Sequence, residues 1–314
     1  MTSRRIARLG ALVALTATAL SGCQGNEIIP ASYSGPSATS TPTSSFERVL
    51  TALGADRVYV MAGNNVIKAG LGILKPDRFG PVHLRPDPDL VSNVSGNGKR
   101  IVIGAAVLHG GFAADGVYLM NGRQLVRLAR PGAGKFGPTI ANNRTVAAIQ
   151  PQAGFSTLAA GANHWTKDLR FGHANVSSLS WVVGGDAYSV LHPHRPRAQL
   201  VRLGAKGGAQ RLGQVHCAGY VLAAPGRNLL VTSPSNRAKV RSDTRGCRGG
   251  YVITTQGQTK TKLPARWRVL AWSADSAALL LTKGHTLAVW SLRGHFVARA
   301  DIGVHAWMAA PVYH

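Results

Sequence analysis

The feature that most constrains this chain is a repeat. Residues 269–300, "VLAWSADSAALLLTKGHTLAVWSLRGHFVARA", read as three short strands at 269–273, 277–282 and 286–292, broken by the polar turns "SADS" and "KGH". A single antiparallel meander of this size cannot bury its own faces. Similar units recur when the chain is aligned on an apolar anchor, a polar turn and a second apolar strand about seven residues on. Taking Leu53, Val94, Ile140, Trp181, Leu222 and Trp272 as anchors, the intervals are 41, 46, 41, 41 and 50 residues. Trp307 follows 35 residues later. Units of 40 to 50 residues with about four strands each predict an all-β fold, a β-propeller of four-stranded antiparallel blades. Six blades fit between Leu53 and Val304, with residues 307–312 as the strand that closes the ring. Seven blades, the last shared between both ends of the chain, is the alternative.

The strings "WSADS" and "LAVWSLRG" resemble the TolB-like and WD-repeat propellers, whose blades often begin on a Trp-Ser-Pro-Asp-Gly turn and carry a Val-Trp strand. The likeness in letters is closest in the last complete blade. Elsewhere the turn's Asp corresponds to Asp186 or gives way to Gly or Asn, and no Gly-His pair precedes each blade. That resemblance implies a propeller and leaves the activity open, because propellers host binders and enzymes alike.

The start of the chain reads as an address. Arg4, Arg5 and Arg8 precede an apolar run over residues 9–20, which is shorter than the roughly 20 residues a membrane-spanning helix takes. The run ends at Leu20, Ser21, Gly22 and Cys23, which resembles the lipobox of bacterial lipoproteins and implies that the Cys23 thiol carries lipid and becomes the mature N-terminus. Stable anchoring then needs more than one acyl chain. The Arg4-Arg5 pair leaves the general and the twin-arginine export routes both open. Residues 23–45, rich in Ser, Thr and Pro, bury too little apolar surface to offset their ordering entropy and predict a flexible leash. Residues 1–22 are therefore expected to be a signal peptide, 23–45 a linker and 46–314 the propeller, held at the extracytoplasmic face of the cell membrane.

Charge narrows the partners. Without Arg4, Arg5 and Arg8, 33 of the 36 basic residues face 12 acidic ones, a charge of +21 with His neutral. Such a chain favours anionic surfaces. Export argues against nucleic acid, so the expected partner is an envelope protein or an anionic envelope polymer. Arg outnumbers Lys 26 to 10, which composition alone, in a GC-rich genome, would also produce. A monomer is expected.

With Cys23 committed to lipid, Cys217 and Cys247 form an even pair in an oxidising compartment. A disulfide between them would close a 31-residue loop and contribute about 3 to 4 kcal/mol in the chain-entropy model. The loop holds Arg237, Lys239, Arg241, Arg245 and Arg248 against Asp243, a candidate anion contact.

Catalytic chemistry is thinly supplied. From Arg48 onward there are ten Asp and no Glu, and no GxSxG, HExxH, P-loop or dinucleotide fingerprint occurs. His192 and His194 share strand spacing, with His216 as a conceivable third ligand. Asp87 and Asp89 lack the spacing of a calcium loop. No catalytic residue, metal or cofactor is expected. The reading that follows is a non-catalytic binding module, with a hydrolase or lyase of wall or extracellular glycans as the alternative. Two Asp converging at the channel mouth would favour the enzyme.

Overall fold

The computed structural model describes residues 44–314 apart from 66–67, 87, 89, 110–111, 130–134, 142–143, 151–153, 160, 171–178, 182–185, 193–196, 205–207, 217 and 234–249. One helix leads in. Ser44 caps α1 (Ser45–Leu53): its hydroxyl accepts from the Glu47 backbone N–H at 3.0 Å and donates to the Pro76 carbonyl. Ser44 and Glu47 stand at the spacing of a capping box. Phe46, Val49, Leu50 and Leu53 recur at i, i+3, i+4 and i+7, so one stripe of the helix is apolar. Gly54 ends it at φ 63°, a left-handed conformation that costs glycine little, and returns its N–H to the Leu50 and Thr51 carbonyls.

Six four-stranded antiparallel sheets follow. The first combines both ends of the described chain: β24 (His305–Tyr313) pairs with β1 (Ala55–Gly63), which continues through β2 (Gly70–Leu74) to β3 (Phe79–Pro81). The second runs β4 (Leu90–Gly96), β5 (Ile101–His109), β6 (Phe112–Asn121), β7 (Gln124–Ala129), and the third β8 (Phe136–Ile140), β9 (Val146–Gln150), β10 (Gly154–Leu158), β11 (Thr166–Arg170). In the fourth come β12 (Ser180–Trp181), β13 (Ala187–Leu191), β14 (Arg197–Leu203) and β15 (Ala209–His216). The fifth has β16 (Tyr220–Ala223), β17 (Leu229–Ser233), β18 (Tyr251–Thr254), β19 (Thr259–Lys262), and the sixth β20 (Arg268–Trp272), β21 (Ala278–Lys283), β22 (Thr286–Ser291), β23 (Phe296–Asp301). The fold is a six-bladed propeller, and 307–312 lie in the strand that closes it.

The anchors Val94, Ile140, Trp181, Leu222 and Trp272 each fall on the first strand of a blade, and Trp307 on β24. Leu53 does not. It ends α1 rather than starting a blade, and β24 supplies the strand assigned to it. The proline-rich segment 75–90 holds β3, the outer strand of the first blade.

The core explains why no blade stands alone. Buried apolar side chains fall into six clusters, each between two neighbouring blades. Strand alternation sends successive residues to opposite neighbours. On β21, Leu279 and Leu281 pack toward the fifth blade, while Ala278 and Leu280 pack toward the first. Each fully buried Leu is worth about 1.5 to 3 kcal/mol, and half of every blade's share depends on the next blade. At the seam between blades six and one, Val49, Leu50 and Leu53 of α1 join the cluster. Nearby, the Gly98 carbonyl accepts from the Tyr313 backbone N–H at 2.9 Å, and a Cβ on Gly98 would sit 2.5 Å from the Tyr313 ring.

Candidate functional site: the central channel

The first strands of blades two to six and β24 surround the axis, and between them lies a cavity of about 500 Å³, within the size range of small-molecule sites. Val94, Ile140 and Trp272, which pack in inter-blade clusters, line the cavity together with the polar neighbours Asn93, Thr139 and Ser180. Bulges re-aim several of these strands. The register skips Ser92 on β4, Leu270 on β20 and Trp307 on β24, and is irregular at 137–138 on β8. Ser92, Gly137, Leu270 and Trp307 all reach the cavity. An extra residue in one strand redirects a side chain in this way, and such bulges gather near functional sites.

Indole N–H groups fasten blade to blade around this wall. Trp272 Nε1 donates to the Leu222 carbonyl at 3.0 Å, Trp181 Nε1 to Thr139 Oγ1 at 3.2 Å, and, farther out, Trp165 Nε1 to the Leu128 carbonyl at 3.0 Å. At these three positions a tryptophan links neighbouring blades. Further links are Ala223 N to Ser180 Oγ at 2.7 Å and Asn97 Nδ2 to the Ala141 carbonyl at 2.8 Å. The wall is thus held in place by the fold itself.

Its chemistry is neutral. Among the described residues no Asp, Glu, His, Lys or Arg lines the cavity. Its titratable groups are Tyr220 and Tyr313. Tyr220 Oη donates to the Val269 carbonyl at 2.5 Å and Tyr313 Oη to the Trp272 carbonyl at 2.8 Å. Burial pushes the Tyr313 phenol above its ordinary range, so it stays protonated and committed to that carbonyl. Both phenol hydroxyls are thus engaged by backbone carbonyls.

Cys23, Cys217, Cys247, Arg237, Lys239, Arg241, Arg245 and Arg248 all fall outside the described residues, as do Asp87, Asp89 and His194. His192 follows β13 and His216 ends β15. Among the described residues no group of three His, Cys, Asp or Glu side chains is placed to hold a metal ion. Asp186, aligned from sequence with the turn Asp of the last blade, accepts from Arg202 Nε at 2.8 Å, and Arg202 Nη2 lies 2.6 Å from the same oxygen.

No protein-family model matches the chain, and no curated protein sequence matches it significantly. Solved structures do resemble it. TolB from Acinetobacter baumannii superposes with a TM-score of 0.60 at 11% identity, over 83% of this chain and 68% of TolB. Hydrazine synthase from Kuenenia stuttgartiensis gives 0.50 at 10% identity, over 86% and 90%. An oligogalacturonate lyase from Vibrio parahaemolyticus gives 0.43 at 10% identity, over 68% and 64%. The likeness to TolB carries the shared fold, a TolB-like β-propeller.

Proposed function

We propose that the protein is a lipid-anchored propeller of the cell envelope that works as a non-catalytic binding module for an envelope protein or an anionic envelope polymer. The observation that carries the non-catalytic reading is the neutral channel wall. Glycan cleavage by paired carboxylates needs two acids converging on the ligand, and the described residues bring none to the cavity.

Charge supports the choice of partner. The turns after β4, β8 and β16 bring Lys99, Arg100, Arg144 and Arg227 to one end of the propeller, where the turn after β20 brings Asp275. Anionic groups are drawn to such an end and held in a salt-dependent way. Cys23 supplies the tether.

The test is crosslinking in intact cells from a photoreactive residue at Arg144. The reading expects one recurrent envelope adduct, lost when Cys23→Ala releases the protein from the membrane and weakened steeply by salt. Salt-indifferent capture, or release of glycan fragments by the purified protein, would overturn it.

A further inference from the structure

The channel wall spends its own polarity on holding the ring together. Asn97 gives Nδ2 to the Ala141 carbonyl and takes the Arg100 N–H on Oδ1, Thr139 accepts from Trp181, and Ser180 accepts from the Ala223 N–H. The first strand of a sheet has one edge without a partner strand, and backbone groups of these strands are taken up by neighbouring blades. The Val269 carbonyl accepts from Tyr220 and the Trp272 carbonyl from Tyr313, while the Val269 N–H reaches Ser233 Oγ at 3.4 Å. Ser92 Oγ, Asn93 Oδ1 and Trp307 Nε1 are sealed within the wall, out of solvent reach. Among the described residues, what is left to face a ligand is mostly carbon, from Val94, Ile140, Leu222, Leu270 and the Met308–Pro311 run. The cavity follows β24 from Trp307 to Tyr313, a rise of about 20 Å at strand spacing.

One end of this apolar tube is cationic. Arg268 directly precedes the lining residue Val269, donates from Nη2 to the Trp307 carbonyl at 3.1 Å, and holds its guanidinium 5.4 Å from the Trp307 ring centre. Outward from Trp307 come the half-buried His305, its ring 6.0 Å from the indole, and the exposed His285, 4.6 Å farther on, with exposed Lys283 in the same turn. The acid of that turn region, Asp301, is exposed and accepts from the Gly303 N–H at 2.8 Å. Among the described residues, Arg268 has no carboxylate at ion-pair distance. A guanidinium carries five N–H donors, of which the Trp307 carbonyl takes one.

We infer that the channel holds a single-chain anionic amphiphile, its hydrocarbon chain lying along β24 toward Tyr313 and its head against Arg268. Apolar contact holds the chain, and a charge-assisted hydrogen bond from Arg268 holds the head. The inference does not use the envelope-partner reading, whose crosslinking site at Arg144 belongs to the opposite end of the propeller.

The experiment photolabels the purified full chain, in a steroid-based detergent, with dodecanoate carrying a diazirine at its chain end, and maps the adducts by peptide mass spectrometry. Octanoate, dodecanol and dodecyltrimethylammonium compete against unlabelled dodecanoate at matched free concentration. Adducts are expected within residues 93–98 or 308–313. Octanoate should compete about a hundredfold more weakly than dodecanoate, four buried methylenes fewer, and dodecanol about tenfold more weakly for want of the charged head. Arg268→Gln should close the gap between dodecanoate and dodecanol while octanoate stays weak; a merely structural role would weaken all three alike. Ala309→Leu, which narrows the bore, should abolish the channel adducts, and the Arg268→Gln comparison decides the matter if that variant does not fold. Adducts confined to other residues, dodecyltrimethylammonium competing as well as dodecanoate, or a carboxylate preference unchanged in Arg268→Gln would overturn the inference. Channel labelling without the Arg144 adduct would leave it standing and sink the envelope-partner reading, and the reverse result would do the opposite.

Discussion

Blades four and six begin on the same kind of strand and put a Trp at the same place, yet the aspartate that follows is held differently. In blade six Trp272 is 3% exposed and donates to the blade before it, and the turn beyond closes on itself. Asp275 Oδ1 accepts from Ser273 Oγ at 2.6 Å and from the Ala277 N–H at 3.0 Å, while Ser273 Oγ takes the Ala278 N–H at 2.9 Å. In blade four the half-buried Trp181 also donates backward. There Asp186 is taken up by Arg202 on β14, a strand of its own blade. In these two blades the tryptophan joins a blade to its predecessor. The aspartate is a local solution and can be spent on a turn or on an ion pair.

The largest effect that sharpens this contrast is at the indoles. Trp272→Ala should cost about 3 to 5 kcal/mol, the range for deleting a fully buried large side chain, and Trp181→Ala clearly less because it is only half-buried. Denaturant midpoints at unchanged m-value would measure both, and equal losses would break the distinction. Next comes the ion pair. Its side chains are 43% and 23% exposed, so Arg202→Met should cost about 1 kcal/mol or less at low salt and close to nothing at 1 M salt.

The smallest effect is at Asp275. The Ser273 hydroxyl, followed by the Ala277 N–H, holds its carboxyl below the ordinary 3.8. A lowered pKa in the folded state gives stability that is present above the unfolded value and lost as pH falls through the folded one. Asp275→Asn should therefore lower stability slightly at neutrality, where the carboxylate's contribution is present, and flatten the profile below about pH 4, where the parent loses that contribution. A variant that melts like the parent at every pH would remove Asp275 from the account of that turn.

Much of the ring was legible because apolar anchors spaced at blade length mark strands that must be covered on both sides. Val94, Ile140, Trp181, Leu222 and Trp272 all identify first strands, and Trp307 the closing one. Leu53 misled because "LTALGADRVYV" offers an apolar residue at the strand interval. The helical signals around it were local ones, Ser44 three residues before Glu47, an apolar stripe ending at Leu53 and Gly54 at the exit. The channel wall was half-visible: Asn93, Thr139 and Ser180 are each polar residues one place before an anchor, on the first strands that surround the axis. The bulges at Ser92 and Trp307 were not visible, because they arise from the register between strands distant in sequence.

Helix α1 runs through Gly54 straight into β1, and β1 is hydrogen-bonded along its length to β24 on one side and β2 on the other. Tension arriving along the chain at residue 44 would draw that strand lengthwise between two neighbours. Its bonds would then be loaded together in shear rather than peeled one by one, and the ring would resist pulling best at the seam where its own ends meet.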